Sequence, residues 1–151
     1  MYQDLIQTFY EAFAQRNANA MAACYHEEAV FNDPVFINLN SKEVKAMWKM
    51  LCEAGKDLKI SFANVKITEK EGSCTWEATY TFSLTGRKVH NIIQASFVFK
   101  DGKILKHTDT FDFYKWSRQA FGLKAWLWGW TEFMQKKVQK SAKKKLGKIY
   151  L

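Results

Sequence analysis

The apolar residues at the start of the chain recur with the spacing of an amphipathic helix. They stand at i, i+1, i+4, i+5 and i+8, namely Leu5, Ile6, Phe9, Tyr10 and Phe13. Either Asn17 or Asn19 can cap a second short helix, whose apolar side consists of Met21, Cys24 and Tyr25. The pattern therefore predicts a helical hairpin at the beginning of the chain.

A third helix is predicted after an extended segment. The residue before a proline avoids the helical region, so Asn32-Asp33-Pro34 forces the chain to extend. Asn40 and Glu43 then have the spacing of a capping box, and Gly55 is placed to end the helix. The predicted buried face of this helix is Val44, Met47, Trp48 and Leu51.

Between residues 58 and 113 the hydrophobic period changes from about 3.6 to about 2. In the clearest strand, polar side chains alternate with Cys74, Trp76, Ala78, Tyr80, Phe82 and Leu84. Turns at Thr85-Gly86-Arg87 and Asp101-Gly102 lead to strands at about 88–99 and 103–113, and residues 58–67 form a fourth strand. Three helices before this antiparallel meander predict an α+β domain, with helices packed on one face of a bent sheet.

From Ser117 onward the pattern returns to a helical period. The predicted apolar stripe is Met134, Val138, Ala142, Leu146 and Ile149. On the opposite side, within about a third of the circumference, lie Lys136, Lys137, Lys140, Lys143 and Lys144. The chain has a net charge of +8, and the seven lysines and one glutamate from Thr131 onward carry most of it.

This basic end of the chain allows two interpretations. Residues 126–130, with the sequence Trp-Leu-Trp-Gly-Trp, precede the lysine-faced helix, and together they have the composition of a segment on an anionic membrane. Alternatively, the apolar stripe packs on the domain or on a second copy, and the lysines form a solvated face. We favour the second, because Trp126 and Trp130 need a dry environment in the soluble state.

Composition narrows the class of function. The 16% aromatic content is typical of an apolar core or pocket, and the aromatic residues concentrate outside the lysine run, so we expect no nucleic-acid binding. Three widely spaced cysteines indicate a reducing compartment and no metal site; they are Cys24, Cys52 and Cys74. The sequence shows neither a signal peptide nor an apolar run of ~18 residues. We therefore expect a soluble, cytoplasmic protein.

Two segments resemble the nuclear transport factor 2-like superfamily: AVFNDPVF at 29–36 and FVFKDGKILKHTDTFD at 97–112. This superfamily includes ketosteroid isomerases, SnoaL-like polyketide cyclases, limonene epoxide hydrolases and non-enzymatic binding domains. The resemblance covers roughly residues 1–116 and implies a cone, whose sheet wraps an apolar pocket closed by helices. Residues 117–151 would be a helical extension packed on the same domain. Sheets of this kind commonly pair face to face, so a homodimer is expected.

Some catalytic residues of the superfamily have a counterpart in this sequence, and others do not. Asp33 matches the carboxylate that moves the substrate proton in ketosteroid isomerases. The two hydrogen-bond donors that those enzymes need for an enolate are lost, because Phe9 and Ala95 stand at their positions, so this chemistry would require Tyr10 or another group as a substitute. The Asp-Arg-Asp set of limonene epoxide hydrolases also fails, since the Arg candidate, Arg87, lies at a turn. SnoaL-like cyclases, which place an acid/base Asp on the last strands, fit better.

By period 2, His107 and Asp109 share one strand face with apolar residues, which makes them the best acid/base pair. They stand about 7 Å apart along the strand, a gap that a substrate or water would bridge. Each candidate also has a structural interpretation. Asp33 can form a turn with backbone amides before Pro34, and His107 can be a satisfied core histidine. An unpaired buried Asp109 is harder to explain by structure alone.

These observations lead to two hypotheses. The first is a cofactor-free acid/base isomerase, cyclase or hydrolase of an apolar carbonyl compound, with Asp33, His107 and Asp109 as catalytic residues. The second is a binding protein without chemistry, which the missing enolate donors favour. In both, a small apolar molecule would occupy a pocket lined by Tyr10, Tyr25, Phe31, Trp48, Trp76, Tyr80, Phe97 and Phe111.

Overall fold

The computed structural model of the protein describes residues 1–123, 125 and 131–150. For residues 149 and 150 it describes the backbone only. Its helices are α1 (Tyr2–Ala14), α2 (Ala18–Ala22), α3 (Ser41–Ala54), α4 (Phe113–Phe121) and α5 (Glu132–Tyr150). Its strands are β1 (Tyr25–Asn32), β2 (Leu39–Asn40), β3 (Lys59–Ile67), β4 (Glu71–Phe82), β5 (Arg87–Lys100) and β6 (Lys103–Thr110). The predicted α+β class is confirmed.

The strands form one curled, open sheet in the order β2-β1-β6-β5-β4-β3. Strands β3 to β6 are the predicted antiparallel meander, and each pairs with its neighbour in sequence. Helices α1 and α3 pack against the sheet. This arrangement confirms the predicted nuclear transport factor 2-like cone with three helices before the meander.

Strand β1 differs from the prediction. The sequence pattern placed Cys24 and Tyr25 on the second helix, but that helix ends at Ala22 and Tyr25 begins a strand. Strand β1 runs parallel to β6, with Phe31 opposite His107. Along this edge, the backbone hydrogen-bond partners of residues 25–32 come from β6, much later in the chain. No turn near Tyr25 predicts this pairing. The sheet therefore has six strands and not four.

The end of the meander also differs from the prediction. Strand β6 ends at Thr110, before the predicted 113, and α4 begins at Phe113 instead of at Ser117. The Asp112 side chain accepts a hydrogen bond from the backbone N–H of Lys115 at 3.0 Å, so it caps the helix. The sequence pattern predicted a longer strand because apolar and polar residues keep alternating through Phe111 and Phe113, with the same period as in β6.

Helix α3 begins at the predicted capping box. The Asn40 side chain accepts from the Glu43 N–H at 2.9 Å, and the Glu43 carboxylate accepts from the Asn40 N–H at 3.0 Å. The predicted burial of Leu51 is wrong, since this side chain is 37% exposed. Cys52 is buried instead, because α2 covers the end of α3 and brings Met21 against its thiol.

Two hydrophobic clusters lie between the helices and the sheet. The main cluster joins α1, α2, α3 and the inward side chains of the strands. A smaller one, here called the outer cluster, lies under α4 and consists of Val89, Phe113, Trp116 and Ala120. Val35, Tyr80 and Phe111 contact both clusters. These three residues mark the boundary between the interior of the cone and its α4-covered end.

Helix α5 packs its apolar stripe on the domain. Leu146 is buried in the main cluster, Ala142 packs against that cluster, and Met134 and Val138 are half-buried. The helix contacts α3. The side chain of Ile149 and the predicted membrane-interface segment 126–130 lie outside the described residues. The structure contains one chain, so the expected homodimer stays a prediction. Among the described residues, no helix is long and apolar enough to cross a membrane.

The capping box gives a test of how α3 is held. We expect Asn40→Ala to lower the free energy of unfolding by about 1 kcal/mol, because the Glu43 N–H loses its acceptor. Urea unfolding followed by tryptophan fluorescence measures this difference. The control is Lys49→Ala, which changes an exposed α3 residue and should have little effect. Equal stability of Asn40→Ala and wild type would show that the box does not stabilise α3.

Candidate active site

The structure divides the predicted site residues into two groups. Three are half-buried: Asp33, Tyr80 and Phe111. The other eight are buried: Tyr10, Tyr25, Phe31, Trp48, Trp76, Phe97, His107 and Asp109. The buried rings contact one another inside the cone, as in the pair Phe97 and His107, whose centroids lie 4.5 Å apart. We call these eight residues the inner cluster.

Strand register explains why His107 and Asp109 point inward. Both lie on the face of β6 that packs on the main cluster, with Phe97 and Ala95 of β5 directly opposite. Ala95 carries only a methyl group, so the indole of Trp76 reaches across β5 toward Asp109. The small side chain of Ala95 thus lets Trp76 of β4 donate a hydrogen bond to the Asp109 carboxylate.

A chain of hydrogen bonds runs through the inner cluster. The indole N–H of Trp48 donates to the Tyr25 hydroxyl at 2.8 Å, and this hydroxyl lies 2.7 Å from His107 Nδ1. His107 Nε2 lies 2.8 Å from Asp109 Oδ1, which also accepts from Trp76 Nε1 at 3.3 Å. Four elements, α3, β1, β4 and β6, meet in this chain.

One assignment of protons satisfies every group in the chain. Trp48 can only donate, so the Tyr25 oxygen accepts from it and gives its own proton to His107 Nδ1. His107 is then a neutral imidazole that donates from Nε2 to the Asp109 carboxylate. Both imidazole nitrogens and Oδ1 of Asp109 are therefore engaged inside the protein.

The direct bond between His107 and Asp109 differs from the prediction that a substrate or water bridges them. The rise along a strand gives the separation of backbone atoms, but the imidazole ring is long enough to cover it. His107 and Asp109 consequently form a buried pair, with exposed fractions of 0% and 2%. As the residues stand, this pair does not present a free proton-transfer group to a ligand.

Tyr10 is the residue of the inner cluster whose hydroxyl has no well-formed hydrogen bond. Its hydroxyl is fully buried and finds no partner of good geometry among the described residues. Burial raises the pKa of this phenol well above 10, and the charge of Asp109 and the nearby Cys74 thiol raise it further. Tyr10 therefore keeps its proton at neutral pH as an unused donor.

Asp33 occupies the turn between β1 and β2. Its Oδ1 accepts from the backbone N–H groups of Val35 at 2.7 Å and Phe36 at 2.6 Å. Asp33 therefore makes the turn contacts that its structural interpretation predicts. Burial raises the pKa of this carboxyl to about 7, although the two amide bonds act to lower it, and the charge of Asp109 adds to the rise. Asp33 thus exchanges its proton near neutral pH.

The outer end of the cone is covered by the last two helices. Trp116 of α4 donates its indole N–H to the Tyr80 hydroxyl at 2.8 Å, and Phe111 lies against the same indole. Two glutamine side chains of α5, Gln135 and Gln139, donate to the carbonyl of Pro34 at 3.1 and 2.9 Å. The start of α5 therefore lies against the turn that contains Asp33.

Two surface cavities are present, and one of them borders a single residue of the inner cluster. A groove of about 850 Å³ runs between α2 and α3, beside Arg16 and Lys49. A second cavity of about 440 Å³ is lined by Lys66, Ser96 and Thr108 among others, and Phe97 is the one predicted site residue that borders it. Among the described residues, no group of three His, Cys, Asp or Glu side chains is placed to hold a metal ion.

The comparison with known families agrees with this geometry. Residues 6–107 match the model of the SnoaL-like domain family. The chain belongs to this family. The match includes Asp33 and His107 and ends two residues before Asp109. A search of curated proteins finds no match to the sequence.

Solved structures with the nuclear transport factor 2-like fold are similar to the SnoaL-like chain over most of their length. IdmH from Streptomyces antibioticus, a proposed polyketide cyclase, is 18% identical, with a TM-score of 0.66 over 78% of this chain and 96% of that chain. AclR from Streptomyces galilaeus, a proposed hydroxylase, is 15% identical, with a TM-score of 0.65 over 82% and 93%. TerC, co-crystallised with polyporic acid, is 14% identical, with a TM-score of 0.66 over 78% and 95%. At these identities the likeness shows the fold.

The raised pKa of Asp33 makes stability depend on pH. The folded protein holds the Asp33 proton up to about pH 7, whereas the unfolded chain releases it near pH 4. Native protein therefore binds the extra proton between these values, and its stability falls as the pH rises through this window. Asparagine keeps the accepting oxygen and cannot ionise.

We expect Asp33→Asn to raise the free energy of unfolding at pH 8 by about 1–2 kcal/mol, and by much less at pH 4. Urea unfolding at the two pH values measures the change. Asp4→Asn, at an exposed position of α1, is the control and should stay within about 0.5 kcal/mol at both. A destabilised Asp33→Asn at pH 8 would contradict the raised pKa.

Proposed function

We propose that this SnoaL-like protein binds a small apolar carbonyl compound at the α4-covered end of the cone and moves a proton on it with Asp33. The observation that carries the proposal is the half-buried Asp33, whose carboxyl has a pKa of about 7 at the edge of an aromatic interior. A proton-transfer group is most effective when its pKa is near the working pH. Tyr80 and Phe111 would hold the apolar body of the ligand.

In the proposed reaction, the Asp33 carboxylate removes a proton from a carbon next to the carbonyl group. The C–H electron pair moves into the carbonyl to give an enolate, and Asp33 becomes a carboxylic acid. Return of the proton to a different atom of the same molecule regenerates the carboxylate, so no oxidant or reductant is consumed. This chemistry suits an isomerase or a cyclase better than a hydrolase.

The buried pair would support Asp33 and not act on the ligand. Asp109 carries a charge that raises the pKa of Asp33, and His107 and Trp76 hold that carboxylate in place. Asp109 and His107 are therefore positioning residues in this proposal. Their role is to keep a fixed negative charge behind the group that exchanges the proton.

The second hypothesis, a binding protein without chemistry, rests on a specific observation. Phe9 and Ala95, at the positions of the two expected enolate donors, are both buried and apolar. Tyr10 offers a hydroxyl one residue further along α1, but this hydroxyl is enclosed by the inner cluster. If no donor reaches the ligand oxygen, an enolate has no stabilising contact and the protein only binds.

Proton exchange separates the two hypotheses without knowledge of the product. Apolar aromatic ketones and quinones are first screened for binding by the shift in melting temperature. Bound compounds that carry a C–H on a saturated carbon next to the carbonyl are then incubated with the protein in D₂O, and loss of the proton signal is followed by NMR. We expect catalysed exchange by wild type, with a rate that rises with pH through about 7 as Asp33 ionises.

Two variants test the assignment of residues. Asp33→Asn should bind the same compound and lower the exchange rate at least ~100-fold, the usual contribution of a positioned base. Tyr80→Phe, which keeps the ring, is the control and should lower it less than ~10-fold. Binding without exchange by wild type would favour the non-catalytic hypothesis, and unchanged exchange by Asp33→Asn would rule out Asp33 as the base.

The support from Asp109 has its own test. Asparagine at position 109 still accepts from Trp76 and His107 but carries no charge. We expect Asp109→Asn to shift the midpoint of the pH–rate profile to lower pH, because the negative charge that raises the pKa of Asp33 is gone. A lower rate with an unmoved midpoint would indicate a purely structural role for Asp109.

A further inference from the structure

Helix α5 presents a cationic face that the structure leaves uncovered. Its seven lysines are all exposed. Lys136 forms an ion pair with Glu132 at 3.2 Å, and within the described part of the chain the other six have no ion pair. At ~100° per residue, most of them fall in one arc of the helix. We call this arc the lysine face; it comprises Lys136, Lys137, Lys140, Lys143, Lys144 and Lys148.

The opposite side of α5 is fixed to the domain. Leu146 is buried in the main cluster and Ala142 packs beside it. The Gln135 and Gln139 side chains hold the start of the helix to the Pro34 carbonyl. The packing interpretation of the apolar stripe therefore agrees with the structure. It does not remove the lysine face, because the same packing turns these lysines outward as a rigid array.

An exposed apolar side chain lies within the lysine face. Phe133 is 76% exposed and, at the same helical spacing, falls within the arc of the lysine face. In the sequence, three tryptophans at positions 126–130 precede this helix. Apolar side chains next to lysines gain free energy by entering the headgroup region of a bilayer, whereas a phosphate backbone offers them nothing apolar.

We propose that α5 docks the protein on an anionic membrane surface, with the lysine face on the lipid headgroups and Phe133 inserted between them. The lysines attract the anionic headgroups over about a Debye length. The contact of Phe133 with the lipid adds a contribution to the binding free energy that salt does not screen. The remaining residues, 1–130, carry a net charge of only about +2, so the attraction is directed to this end of the molecule. The proposal does not depend on the reaction at Asp33.

Vesicle sedimentation of the full chain tests the proposal. We expect binding to vesicles with 30% phosphatidylserine at 25 mM salt, weaker binding at 250 mM salt, and little binding to pure phosphatidylcholine. Replacing Lys137, Lys140, Lys143 and Lys144 by Gln should lower the affinity for anionic vesicles at least ~10-fold. Phe133→Ser should lower the binding that remains at 250 mM salt.

A matched control keeps the net charge equal. Replacing four exposed lysines of the body, Lys49, Lys56, Lys59 and Lys70, by Gln removes the same charge and should lower vesicle binding less than ~3-fold. Circular dichroism confirms that each variant is folded. An equal loss in the control, equal binding to neutral vesicles, or no binding at 25 mM salt would overturn the proposal. Tighter binding to duplex DNA or RNA than to anionic vesicles at 150 mM salt would also overturn it.

Discussion

The interior of this protein is organised around a buried carboxylate. Asp109 lies among aromatic rings, where an unsatisfied charge would cost several kcal/mol. Its two donors come from different strands, His107 on β6 and Trp76 on β4. The imidazole in turn requires the Tyr25 hydroxyl, which Trp48 fixes from α3. The positions of four elements thus depend on satisfying one buried charge.

The need to keep this charge hydrogen-bonded distinguishes residues that hold the site in place from a residue that could transfer a proton. Residues that hold a buried charge must keep their hydrogen bonds, so they are poorly suited to exchange protons with a ligand. Asp33 is different, because its turn bonds use one oxygen and it lies at the edge of the interior. Under the proposed function, the three titratable residues that the sequence suggests as one catalytic set would therefore perform two different tasks.

Local signals made most of the fold predictable. The helical spacing from Leu5 to Phe13, the capping box at Asn40 and the alternation from Cys74 to Phe82 each lie within a few turns or one strand. Strand β1 was missed because its partner is β6, and nothing near Tyr25 announces that pairing. Phe113 was misplaced because the N-cap of α4 interrupts an alternation that continues in the sequence.

The burial of most candidate site residues was predictable from the sequence, whereas the geometry between them was not. Period 2 correctly put His107 and Asp109 on the inward face of β6. The bond between their side chains, and the link to Tyr25 across 82 residues, depend on rotamers and on strand pairing that a spacing rule does not contain. The unpartnered hydroxyl of Tyr10 had no sequence signal, since a tyrosine on an apolar helix face looks like any other core ring.

The parallel pairing of β1 with β6 has a consequence for how the chain acquires this interior. Tyr25 and Trp48 leave the ribosome early, whereas the imidazole and carboxylate that complete their hydrogen bonds come from the last strand of the sheet. Contacts between residues so distant in sequence form late and slowly. A nascent chain that has not yet released β6 leaves one edge of β1 and one edge of β5 without a strand partner. Synthesis of residues 103–110 supplies the strand that joins β1 to the meander, so the two parts of the sheet stay separate until that point.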